Sequence, residues 1–114
     1  MTGRRVRAYG IVSLDRSGPQ AAADVQAIRE VARFARLDLR AVSVMYSADL
    51  SVLLASFAAS GIGVVIVPSV LHLTGWLDAV RRDCEVWTLS PPGYWPRVHA
   101  SGRPGEFIAS SGLC

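Results

Sequence analysis

Ile62-Gly63-Val64-Val65-Ile66-Val67 carries no polar side chain. A strand with one wet face alternates apolar and polar residues, whereas an unbroken apolar run suits a parallel strand covered on both faces. The stretch therefore predicts the centre of a sheet with helices above and below it. Gly61, just ahead, is placed to end a helix, and Pro68-Ser69 closes the strand.

Periodicity switches regularly on either side of that centre. Val6 to Ser13 reads as a strand running into a polar turn, Leu14 to Pro19, with Gly18 and Pro19 ahead of a helical pattern. From Gln20 to about Leu37, Val25, Ile28, Ala32 and Ala35 recur at helical spacing, while Arg29, Arg33, Arg36 and Arg40 fall on another face. That arginine stripe reads as a solvated face before it reads as an anion-binding surface. Leu39 to Tyr46 is a second strand. Asp49 or Ser47 is placed to cap a helix through about Ser60, with Leu50, Leu53, Leu54 and Phe57 inward. Thr74 or Gly75 opens a short helix carrying Trp76, Leu77 and Val80, and Cys84 to Leu89 is a fourth strand.

The alternation of strands and helices with short connections predicts a doubly wound α/β domain. Its expected sheet is four-stranded and parallel, of order 2-1-3-4, with helices on both faces. Residues 1–90 form this domain. Beyond Ser90, Pro91, Pro92, Gly93, Pro96, Gly102, Pro104 and Gly105 predict an irregular tail over 91–114, in which Tyr94 and Trp95 have enough apolar area to dock.

With 114 residues, 51% of them hydrophobic, the chain holds one core and one domain. Its net charge is +3, and all 12 basic residues are arginine, with no lysine and no asparagine, the skew a GC-rich genome imposes. The pI of about 9.4 is thus weak support for nucleic acid, because dedicated DNA binders concentrate their charge more. No apolar run approaches the roughly 20 residues of a spanning helix, and no signal-peptide core follows the N-terminus; the expectation is a cytoplasmic chain with no membrane partner. Cys84 and Cys114 make neither a disulfide framework nor a metal-ligand spacing, so no metal or cofactor is expected.

In an open parallel sheet, ligands gather beyond the carboxyl ends of the strands. Ser13 to Pro19, Tyr46 to Asp49 and Pro68 to Thr74 converge there. The expected ligand-binding set is Ser13, Asp15, Arg16, Ser17 and Gly18, where hydroxyls, amides and one guanidinium suit a phosphate or similar anion. The same residues are also ordinary turn chemistry. His72, between Leu71 and Leu73, reads first as a packing residue, and His99 falls in the tail; neither has an evident carboxylate orienter.

Arg7-Ala8-Tyr9-Gly10-Ile11-Val12-Ser13, then Asp24-Val25-Gln26 and Ile28 in a long helix, then Gly63-Val64-Val65-Ile66-Val67-Pro68-Ser69-Val70-Leu71-His72-Leu73, resembles the N-terminal catalytic domain of the resolvase/invertase serine recombinases. The resemblance covers Arg7 to about Leu89. It implies that Ser13 stands in the place of the serine that attacks the DNA phosphodiester. It also implies arginines where this chain has Ile11, His72 and Gly75 or a neighbour, and an aspartate where it has Leu71. Guanidinium groups clamp the phosphate through the transition state, and each such donor is worth about 2.7–4 kcal/mol. Nothing from Ser90 to Cys114 resembles the family's long dimerisation helix or its helix-turn-helix. Ser13 is then vestigial, no catalytic residue is expected, and the expected role is a protein-interaction or regulatory module. A homodimer or other protein partner, met through Trp76, Tyr94 and Trp95, is the expected assembly. The alternative is a small phosphate- or nucleotide-ligand-binding protein using the turn after the first strand.

Overall fold

A computed structural model describes residues 5–46 and 50–98. Strand β1 (Arg7–Ser13) passes into a one-turn helix α1 (Leu14–Ser17), a 3-10 turn (Gly18–Gln20) and the long helix α2 (Ala21–Phe34). Then follow β2 (Asp38–Met45), α3 (Ser51–Ser60), β3 (Ile62–Val67), a 3-10 turn (Val70–Leu73), α4 (Leu77–Arg81), β4 (Glu85–Leu89) and β5 (Pro92–Trp95). The sheet order is β2-β1-β3-β4-β5, parallel as far as β4 and antiparallel for the last pair.

The expectation of a four-stranded, all-parallel sheet is thereby corrected, as is that of an irregular chain over Pro92–Trp95. A tight turn sends the chain back along β4, and the Thr88 hydroxyl donates to the Pro91 carbonyl across 3.0 Å. Gly93 lies opposite Thr88, where a Cβ would meet the Thr88 Oγ1 at 2.7 Å, so the residue that looked like a breaker is the one the pairing needs. Pro92 is tolerated because the strand is at the sheet's edge. The polar turn after the first strand is also corrected, since Leu14–Ser17 is a helical turn. The expected caps Ser47 and Asp49, together with His99 and Cys114, lie outside the described residues.

Two apolar layers hold the sheet. On one face α2 sets Ile28 and Ala32 against Ala8, Val12, Val64 and Ile66. On the other, α3 and α4 set Phe57 and Val80 against Ile11, Val65, Val67 and Val86. Each fully buried Val or Ile contributes about 1.5–3 kcal/mol relative to exposure. The central strand is covered on both sides, as its unbroken apolar run requires. Gly10 lets α2 approach: a Cβ there would stand 2.9 Å from the Ile28 Cγ2 and 3.0 Å from a Val42 methyl. Gly61 ends α3 in the left-handed region, at φ 71°. Arg36 does the same after α2 at φ 60°, although it has a Cβ; the Leu37 amide closes the turn onto the Ala32 carbonyl at 2.8 Å.

Arg29 and Arg33 are exposed along α2, and Arg36 just after it. Arg40 is on β2 instead, paired with Asp38 at 3.1 Å in an exposed ion pair of little energetic weight.

Candidate functional site

The carboxyl ends of β1 and β2 and the segment after β3 enclose a cleft of about 550 Å³. Ser13, Asp15 and Arg16 border it from the β1 end, Tyr46 from the β2 end, and His72, Thr74 and Trp76 from the far side. The segment after β3 is shaped locally. Ser69 caps the 3-10 turn by accepting the Leu71 amide, and the Thr74 hydroxyl donates to the Leu71 carbonyl at 2.8 Å. This turn carries His72 to Ser13, whose backbone N–H donates to the His72 Nδ1 at 2.8 Å.

An imidazole accepting at Nδ1 is neutral and carries its proton on Nε2. Its surroundings agree: burial pushes the His72 pKa down, the Asp24 carboxylate pulls it back up, and the Arg16 guanidinium pushes it down. In chemical terms the cleft offers a neutral imidazole, one guanidinium and the Ser13 side chain. The Ser13 amide is already spent on His72.

The expected ligand set divides. Ser13, Asp15 and Arg16 line the cleft together. Ser17 is buried and donates its hydroxyl to Asp24 at 2.5 Å, tying α1 to α2. Gly18 is exposed, at φ 51°, and is not among the residues lining the cleft. Among the described residues, no group of three or more His, Cys, Asp or Glu side chains could hold a metal ion.

The three expected interface aromatics are also separated. Trp76 packs beside the α3–α4 core and lines the cleft. Trp95 packs on the same core, with the Arg81 guanidinium 5.7 Å from its ring centre. Tyr94, the preceding residue of the alternating strand, points to the other face and is 60% exposed. There it borders a second concavity of about 720 Å³ between α2 and the β4–β5 hairpin, walled mainly by Ala27, Val31, Phe34, Trp87, Leu89 and Tyr94.

Phe34 and His72 escaped the reading of the sequence as working residues. Phe34 is 92% exposed beside the groove. Ala27, Glu30, Val31 and Phe34 form an i, i+3, i+4, i+7 stripe next to the buried one, and that second stripe was the available signal. His72 lies within Pro68 to Thr74, which chain order already brought to the strand ends; what escaped was its contact with Ser13, 59 residues away in the chain.

No helix among the described residues is long and apolar enough to cross a membrane. Comparison with protein-family models, curated proteins and solved structures finds no match to this chain.

Proposed function

We propose that this chain is a non-catalytic, serine-recombinase-like module that acts through protein–protein contact, as an interaction or regulatory domain. The observation that carries the reading is the apolar groove between α2 and the β4–β5 hairpin, bordered by a 92% exposed phenylalanine and a 60% exposed tyrosine. Large apolar side chains grouped at one exposed concavity mark contact surfaces on proteins of this size. The cleft supports the same reading. Among its described lining residues Arg16 is the one guanidinium, and a scissile phosphate needs several.

A neutral apolar dye, added to dilute protein, tests the groove. It should fluoresce with the wild type and much less with Ala27→Glu, which puts a charge on the groove wall; equal signals would sink the reading. In parallel, supercoiled DNA should stay un-nicked, and no covalent adduct dependent on Ser13 should form. An adduct lost in Ser13→Ala would restore strand-transfer chemistry.

A second reading, a small phosphate or nucleotide ligand in the cleft, is favoured by the convergence of Ser13, Arg16 and His72 at the strand ends. Inorganic phosphate or a mononucleotide should then shift the amide resonances of 13–16 and 71–74.

A further inference from the structure

We propose that the cleft at the strand ends holds a small organic carboxylate, its single negative head on Ser13, Arg16 and His72 and a flat apolar body against Leu50, Leu71 and Trp76. The proposal rests on the second reading, the cleft as a small-ligand site, and names the chemistry of the ligand.

Ser13 stands at the N-cap of α1, where a serine hydroxyl ordinarily accepts a backbone amide of the first turn; here it makes no such bond. The residue is only 8% exposed, yet its hydroxyl has no hydrogen-bond partner among the described residues. No fully buried side-chain oxygen among those residues is left unpartnered, so this hydroxyl still reaches open space, and the space it borders is the cleft. The imidazole beside it is a second donor. Its Nδ1 accepts the Ser13 amide, which leaves the proton on Nε2, and Nε2 has no partner among the described residues. Arg16, one turn on from Ser13, lines the same cleft, is exposed, and makes no ion pair among the described residues.

Charge limits the head. Among the described lining residues Arg16 brings one positive charge, the neutral His72 none, and Asp15 one negative charge. A phosphomonoester, with roughly two negative charges at pH 7, meets one guanidinium opposed by one carboxylate. A carboxylate carries a single charge and accepts at two oxygens, which the hydroxyl, the imidazole N–H and the guanidinium satisfy. The Ser13 amide, which a phosphate-cradling loop would use, is held by His72. The remaining wall sets the body. Leu50 is buried, Trp76 half-buried, and Leu71 stays 54% exposed beside the cleft, apolar surface that an inorganic ion would leave uncovered. A cleft of about 550 Å³ has room for a bicyclic aromatic body, and a few convergent polar groups on apolar walls are the make-up of a small-molecule site.

Naphthoate and its neutral counterpart naphthamide, titrated into the full chain and followed by amide resonances, test this. Naphthoate should shift 13–16 and 71–76 with a submillimolar dissociation constant, and naphthamide should bind about tenfold more weakly. Arg16→Gln, at an exposed position, should weaken naphthoate about tenfold and leave naphthamide unchanged. Ser13→Ala, which keeps the amide that His72 holds, should also weaken naphthoate, with an unchanged circular dichroism spectrum. Equal binding of the two probes, or naphthoate indifferent to Arg16→Gln, overturns the carboxylate head. Inorganic phosphate or adenosine monophosphate binding more tightly on the same amides would overturn it as well and leave the phosphate reading standing. Shifts confined to 27–35 and 93–95 would place the probe in the groove and overturn the proposal, and no shift of the cleft amides by any of these probes would overturn both it and the reading of the cleft as a ligand site.

Discussion

The backbone N–H of Ser13 donates to the His72 Nδ1 at 2.8 Å, so the residue after which the cleft turns is held by a histidine that must stay neutral. Protonating Nδ1 replaces an acceptor with a donor facing a donor. Together with burial, this keeps the His72 pKa below its ordinary value of 6.5, Asp24 opposing and Arg16 assisting. Between the ordinary and the lowered value the unfolded chain holds the proton and the folded chain does not. Stability is therefore complete above about pH 6.5 and falls as the pH drops through the lowered pKa. Thermal unfolding followed across that range should show the slope in the wild type and lose it in His72→Asn, whose Oδ1 keeps an acceptor near the place of Nδ1. A slope that survives in His72→Asn assigns it to another group.

At Gly10 the packing of α2 on the sheet leaves no room for a side chain. A Cβ there would meet two side chains at about 3 Å, one of them the fully buried Ile28. Gly10→Ala should destabilise the fold by about 1–3 kcal/mol through overpacking. A lower denaturant midpoint with an unchanged slope is the expected signature, and an unshifted midpoint would show that α2 can lift off at no cost.

Arg36 closes α2 at φ 60°, a conformation glycine adopts freely and a residue with a Cβ does not. Arg36→Gly relieves this at some cost in unfolded-state entropy, and the net expectation is a gain of about 0.5–1 kcal/mol. Chemical denaturation measures it. A loss of stability instead would mean that the exposed guanidinium contributes more than the backbone conformation costs.

The central strand was legible in the sequence because its environment writes itself into every residue: a strand covered on both faces has no place for a polar side chain, and Val64 to Val67 are all buried. Gly61 was legible for an equally local reason, the left-handed end of α3. The hairpin strand was not, because Pro92 and Gly93 are breakers in general and become strand residues only at a sheet edge opposite Thr88. The candidate site divides in the same way. Ser13, Asp15 and Arg16 follow one strand end and were placed by chain order alone. Ser17 looked equivalent to them, yet its hydroxyl turns to Asp24, seven residues on, a choice made by the packing of α1 on α2. The groove depends on which side of α2 the hairpin stops short of, and the tertiary fold alone decides that.

Hydrogen–deuterium exchange of the full chain, with and without the neutral apolar dye, tests the central claim that α2 and the hairpin form the working surface. Amides of Ala27–Ala35 and Gly93–Trp95 should gain protection when the dye is present, while 13–16 and 71–76 around the cleft exchange at an unchanged rate. Protection appearing around the cleft, with none at α2 or the hairpin, would contradict the account.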